Sequence, residues 1–401
     1  MSGDRLDLDV LIVGGGMVGA TLALALSRQT DFRIGLMESR PPADLPQQGF
    51  DLRVSAITRA SERIFRHLDV WESMLSMRVS PYSRMRVWQE GGGSIGFDAQ
   101  SLGEPNLGHI VENRVIVHAL WQALIGQGVV ELLAGKSPIQ YLPLTTGIEI
   151  ETDRGDSFRT ALLVAADGAD SSVRSAMGIG VKGRSYGQKG LVSTVRPEMH
   201  HEHTAYQRFL PGGPVALLPL TDGHCSVVWS LPEESADALL AMDEAEFLLR
   251  LEAAVEGRLG AFAAAGPRAA FPLRLQHADH YVEANLALVG DAAHSIHPLA
   301  GQGVNLGLLD AVALAQVLAE HPGDAGRFGT LRRYERWRKG ENLLMMSAMD
   351  GFQRLFGNDV SVLRNLRGSG LAIVDRVTPL KSVLMRRAMG LEGDLPHLAR
   401  E

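Results

Sequence analysis

The chain has 401 residues, 45% hydrophobic and 21% charged, with 46 acidic against 39 basic side chains. That length suits two or three domains around a large core, and the composition excludes a disordered or membrane-embedded chain. The acidic excess leaves no electrostatic footprint for nucleic acid, and a single cysteine, Cys225, excludes an internal disulfide and fits a reducing cytoplasm.

Taken in chain order, the first informative segment is VLIVGGGMVGATLALALS, residues 10 to 27, which carries no charge and reaches the lower edge of bilayer-spanning length. The preceding MSGDRLDLD is acidic, unlike the cationic flank of a secretory leader, and three consecutive glycines interrupt the apolar run. A membrane span or signal segment is therefore not expected. The segment predicts a strand over LDVLIV, a glycine turn, and a helix that Met17 enters. Gly14, Gly16 and Gly19 have G-x-G-x-x-G spacing: a tight turn, close approach of a pyrophosphate, and close helix–strand packing. The helix N-terminus offers free N–H groups to phosphates. A second strand, RIGLMES, carries Glu38 about 20 residues further on, where a carboxylate accepts hydrogen bonds from ribose hydroxyls and repels a 2′-phosphate. The motif predicts FAD or NAD without separating them.

Further along, SRMRVWQEGGGSIGFDA reads as strands. TALLVAA is an apolar strand followed by Asp167-Gly168 and then by the helix start SSVR. Residues 181 to 270, with TAYQRFLPGGPVALLPL and CSVVWSL, alternate between Gly/Pro turns as an antiparallel sheet does. Residues 286 to 318 repeat the order strand, turn, glycine-bearing loop, helix, with Asp291 at the strand's end and AGQGVN opening the helix. A carboxylate there suits a polyol such as a ribityl chain, and a helix end suits the negative charge of a reduced flavin. Beyond residue 345 the chain reads as methionine-rich helices, basic near the end, suited to core packing or to a membrane or protein surface. The histidine pairs His294/His297 and His277/His280 and the run HHEH at 200 to 203 lack a converging set of further ligands, so no metal site is expected.

Three segments together, GGGMVG, VAADGADSSVR and GDAAHSIHPLAGQGVNLGLLDA, resemble the single-component flavoprotein aromatic hydroxylases, and within them the ubiquinone-biosynthesis hydroxylases that act on 2-polyprenylphenols. LRVSAITRASE, LGHIVENRVIVHALW, CSVVWSLPEE and LRRYERWRKG agree, so the resemblance runs from about residue 8 to the C-terminus. It implies that Gly14, Gly16, Met17, Gly19 and Glu38 hold the adenosine and pyrophosphate of FAD. Arg53 matches a mobile-loop arginine that contacts the cofactor phosphates and assists the reductant. Asn113 stands where the wider group often has arginine or glutamine. Asp167 and Gly168 match a motif serving FAD and transient NAD(P)H, and Asp291 matches the ribityl-binding aspartate. Gly301, Gln302, Gly303 and Asn305 match the loop against the flavin ring. Pro298 matches a residue whose backbone carbonyl lies near the substrate phenol. His297 departs from the asparagine of many relatives.

The resemblance also implies the architecture. It is an α/β chain with a Rossmann-like FAD-binding domain of the p-hydroxybenzoate hydroxylase type, built from residues 1–80, 105–180 and 271–345. An antiparallel-sheet substrate domain (81–104 and 181–270) roofs the flavin, and 346–401 form C-terminal helices. The implied activity is an aromatic monooxygenase reaction on a polyprenylated phenol or benzoquinol. NAD(P)H is the donor, O2 the co-substrate, and a C4a-hydroperoxide of tightly bound, non-covalent FAD the hydroxylating species. No side-chain nucleophile is required. Expected surroundings are the cytoplasm, with peripheral contact to the inner membrane and to other ubiquinone-biosynthesis proteins. Three other functions fit parts of the pattern: a flavin reductase or halogenase on the same fold (the halogenases' W-x-W-x-I-P is missing), a non-catalytic FAD-binding subunit, and an NAD-dependent dehydrogenase.

Overall fold

The computed structural model describes residues 7–45, 49–89, 93–296, 303–356 and 378–401. Its first layer is a sheet with five parallel strands in the order Leu286–Leu288, Ser157–Ala165, Leu8–Val13, Ile34–Glu38, Val130–Ala134. Val10, Leu11 and Ile12 of the central strand are fully buried on both faces, as a parallel strand covered on each side requires. The helix Met17–Gln29 returns the chain from the first strand to the second, and the helices Asn113–Gln127 and Gly303–Ala319 pack beside it. Eight consecutive residues of that first helix, Gly19 to Leu26, are buried. This explains why it is apolar all round and why it resembles a membrane segment in composition alone. Among the described residues no helix is long and apolar enough to cross a membrane.

The second layer is a large twisted sheet whose central strands are Ala269–Ala278, Val181–Pro197, Cys225–Pro232, Gly213–Pro219 and Thr204–Leu210. Neighbouring pairs are antiparallel, as the alternation predicts, except that Thr204–Leu210 runs parallel to Arg84–Gln89. The expected boundary at 270/271 falls inside the strand Ala269–Ala278, which belongs to this sheet. The one at 345/346 falls inside the helix Phe328–Phe356. One face of the sheet, with Leu191, Val215, Leu217, Val227 and Trp229, packs on the helices Glu233–Ala241 and Glu244–Ala254 through Ala236, Leu239, Phe247 and Leu251. Cys225 is buried on that face.

The opposite face follows from the register. Val192 pairs with Val228, Val228 with Ala216, and Gly190 with Phe271, so these residues alternate with the helix-facing set. Leu218 of this face packs with Ala56, Ile110 and Phe50, and Arg53 lies over the Phe271 ring, 5.5 Å from its centroid. Ala56 and Ile110 belong to a small antiparallel sheet of Val54–Ile57, Gly108–Glu112 and Val79–Tyr82. The apolar face is thereby turned toward the domain that carries the glycine motifs. The C-terminal helix Thr378–Ala388 covers the other end, where Met385 and Met389 are buried against Ala99 and Leu107.

Candidate functional site

The first glycine turn is built as its spacing predicts. Gly14 has φ +105°, and a Cβ there would stand 2.3 Å from the carbonyl oxygen of Ala166, so only glycine fits. At Gly19 a Cβ would lie 1.9 Å from the carbonyl oxygen of Gly14, which fixes how closely helix and strand approach. Gly16 differs. It is exposed, nothing lies within 4 Å of where its Cβ would stand, and it begins the helix with no side-chain cap. An open glycine before a 13-residue helix with no side-chain cap leaves backbone N–H groups of the kind that suit a phosphate. Met17 contributes the first turn of that helix.

Glu38 closes the second strand, and its Oε2 accepts a 2.7 Å hydrogen bond from the Gly15 amide. Its Oε1 accepts from the amide of Arg40 (2.8 Å). Trp121 holds the turn from the other side, donating from Nε1 to the Gly15 carbonyl at 2.8 Å. The sequence reading missed Trp121 because the partners are 106 residues apart and no local pattern links them.

Asp167 and Gly168 follow the strand Ser157–Ala165. Asp167 Oδ2 accepts from the amides of Ser172 (2.8 Å) and Val173 (3.2 Å) and from the Ser172 hydroxyl, while its buried Oδ1 has no partner. Because Ala166 abuts Gly14, this loop backs directly onto the glycine turn. Arg174, also missed, is buried and ties the loop to the third motif: Nη1 donates to Ala292 O and Nη2 to Ala169 O, both at 2.9 Å.

The third motif closes the ring of contacts. Gly290 has φ +58°, and its would-be Cβ meets Val18 Cγ1 and Cγ2 at 3.2 Å. A Cβ at Gly307 would lie 2.7 Å from Val18 Cγ2 and 3.1 Å from Gly290 Cα. Val18 sits one residue inside the first helix, so two glycine-bearing segments almost three hundred positions apart meet across one side chain. Asp291 is exposed to solvent, yet surrounding protein raises its carboxyl pKa against the opposing pull of His294 and Arg53. Asp291 is thus exposed yet closely surrounded by protein, with Arg53 near enough to act on it electrostatically.

Arg53 and Asn113 are adjacent: the Asn113 amide donates to Arg53 O at 3.0 Å, and Asn113 Oδ1 accepts from the Ser55 hydroxyl at 2.7 Å. Gly303 opens the helix Gly303–Ala319. The Asn305 side chain is buried and turned to protein. Its Nδ2 donates to Ala56 O, and its Oδ1 accepts from the Thr58 amide and the Ser61 hydroxyl. His297, Pro298, Gly301 and Gln302 lie outside the described residues. The histidines weighed as metal ligands have protein partners: His294 with Asp310, His277 with Tyr281, His280 with Glu283, and His201 with the Leu220 carbonyl.

The residues present fit FAD. Open Gly16 and the uncapped helix suit the pyrophosphate, Glu38 suits the adenosine ribose, and exposed Asp291 suits a polyol. The partly buried face of Val192, Ala216, Leu218 and Val228 provides an apolar cover.

Comparison with known proteins agrees with this geometry. A family model described as "FAD binding domain" matches residues 145–345. The chain is 40% identical to the 3-demethoxyubiquinol 3-hydroxylase of Escherichia coli over 96% of its length and 98% of that protein's. It is 38% identical to the ubiquinone hydroxylase UbiL of Rhodospirillum rubrum, covering 98% of this chain and 92% of that one. Among solved structures, p-nitrophenol 4-monooxygenase PnpA from Pseudomonas putida superposes with a TM-score of 0.78 at 17% identity, covering 95% of this chain and 98% of the other. That last likeness carries the fold.

Proposed function

Because this chain belongs to the FAD-dependent hydroxylases of ubiquinone biosynthesis and is an FAD-dependent monooxygenase, we propose that its substrate is a polyprenylated phenol or benzoquinol. One ring C–H becomes C–OH. NAD(P)H supplies two electrons, one atom of O2 enters the ring, and the other leaves as water. The observation that supports this most directly is that the three motifs pack against one another, Gly14 on Ala166, Gly290 and Gly307 on Val18, and Arg174 on Ala292, with Asp291 exposed beside them.

When bound, FAD supplies the electron transfer and the activation of dioxygen. The chain's own residues do the rest. Gly16 and the helix N-terminus after it neutralise phosphate charge, Glu38 takes the ribose hydroxyls, and Asp291 takes the ribityl chain. Arg53, exposed and lying over Phe271, takes the nicotinamide phosphate in this proposal. The apolar sheet face keeps water from the reacting ring, which protects an oxygen-transfer reaction from collapse to peroxide. His297 and Pro298 border the substrate in this proposal. A prenyl tail requires access from a bilayer, and the exposed Leu343, Leu344 and Val383 of the C-terminal helices support peripheral membrane contact.

Deleting the gene in its host and identifying the accumulated quinone precursor tests the substrate. A polyprenylphenol lacking one hydroxyl is the expected result, and unchanged quinone overturns the assignment. With the purified protein, label from ¹⁸O2 must appear in the product ring; NAD(P)H oxidation yielding peroxide alone marks a reductase. The Asp291→Ala variant must purify with less flavin, and a fully yellow variant refutes its ribityl role.

A further inference from the structure

Beneath the loop that carries Asp291 lies a buried anion that the proposed chemistry does not use. Asp310, two turns into the helix Gly303–Ala319, is fully buried. Its Oδ2 accepts from His294 Nε2 at 2.5 Å and from the Gly290 amide at 3.3 Å. Its Oδ1 accepts from Arg338 Nε at 2.8 Å and Asn342 Nδ2 at 3.0 Å, both on the helix Phe328–Phe356. Arg338 Nη2 in turn donates to Asn342 Oδ1. Burial pushes the Asp310 carboxyl upward, but His294, Arg338 and these hydrogen bonds outweigh it and hold the group at about 2. An ionised carboxylate only accepts, so His294 Nε2 carries the shared hydrogen.

A buried ion pair is weak evidence for stability, since apolar residues of similar volume often serve as well. The placement of the donors is more informative. Gly290 and His294 are the two ends of a five-residue segment, and the one residue of it exposed to solvent is Asp291. Arg338 and Asn342 anchor the carboxylate from the far side. Glu38, assigned to the adenosine end, bonds Gly15, Ser39 and Arg40, which are outside this network.

We propose that Asp310 is a positioning residue: by gripping Gly290 and His294 it fixes the loop that presents Asp291, and so sets affinity for the ribityl and flavin end of the cofactor alone. This rests on the assignment of Asp291 to that end. The test compares binding of FAD and of ADP, which carries only the adenosine diphosphate half, to the apoprotein of the full chain. Asp310→Asn and His294→Ala are expected to weaken FAD by about tenfold or more, the loss that outer partners of metal ligands typically show, with ADP affinity unchanged. His294→Gln, whose amide N–H still donates to Asp310, should recover most of the FAD affinity lost in His294→Ala. Equal losses for FAD and ADP, unchanged FAD binding in both variants, or a glutamine variant no better than alanine would each overturn the proposal. If Asp310→Asn does not fold, the two His294 variants decide. An Asp291→Ala variant that keeps parental FAD affinity would defeat the underlying assignment instead, so the two failures are distinguishable.

Discussion

Replacing Gly307 by alanine probes the joint on which the site depends, and its sign is set by two opposed effects. Alanine in a helix interior is favoured over glycine by about 1 kcal/mol. The new methyl, however, would stand 2.7 Å from Val18 Cγ2 and 3.1 Å from the Gly290 backbone, closer than carbon atoms tolerate. Overpacking of that kind costs about 1–3 kcal/mol, which leaves a net loss of roughly 0–2 kcal/mol. Neither neighbour yields easily, because Gly290 is held by its φ of +58° and its bond to Asp310. Val18→Ala removes the nearer obstacle. In urea denaturation of the apoprotein, the double variant should therefore be more stable than the sum of the single changes by about 1–2 kcal/mol, well beyond the 0.3–0.5 kcal/mol scatter of independent sites. FAD affinity should fall in Gly307→Ala and partly return in the double variant. Additive energies, together with a Gly307→Ala protein stabilised by about 1 kcal/mol as helix propensity alone dictates, would show that the two glycine segments do not touch through Val18.

Burial pushes His109, which lies 3.4 Å from Glu62, and His277 down to about 4 from an ordinary 6.5. As pH falls from about 6.5 toward about 4, the unfolded chain takes up protons that the native protein refuses, so stability declines across that window. Thermal melts should show this, with His109→Gln removing part of the slope; an identical slope in the variant refutes the assignment. Cys225, the only cysteine, is buried with its thiol pushed up to about 12 by burial. It should resist Ellman's reagent in the native protein near pH 8 and react fully once denatured, and rapid native labelling would contradict its placement.

The parts of the site legible in the sequence are those whose chemistry demands a residue type at a fixed local spacing. Gly14 and Gly19 are where backbone sterics require them, and Glu38 ends its strand beside the glycine turn, because strand, turn and helix are contiguous. Asn305 shows the limit. Its motif assigns it to the cofactor, but its side chain joins the helix Gly303–Ala319 to Ala56, Thr58 and Ser61, partners about 250 positions away. Trp121, Arg174 and Asp310 went unread for the same reason, since each acts on a loop distant in sequence. Strand direction escaped on other grounds. Alternation reports which side chains share a face but not which neighbour a strand takes, so the parallel pairing of Thr204–Leu210 with Arg84–Gln89 had no local signal.

The way the three motifs are joined explains why glycine recurs in them. A ligand with phosphates at one end and a polyol at the other needs backbone amides at one point and a carboxylate some distance away, and no single loop supplies both. The chain brings separate loops together, and glycine stands where they touch: Gly14 meets the Ala166 backbone, and Gly290 and Gly307 both pack on Val18 of the first helix, while within the first motif Gly19 meets Gly14. Gly16 has open space where its Cβ would stand, as does Gly168, whose φ of +87° still favours glycine. That difference separates the two roles: a Cβ at 14, 19 or 307 meets protein atoms before any ligand arrives, whereas a Cβ at 16 meets none within 4 Å.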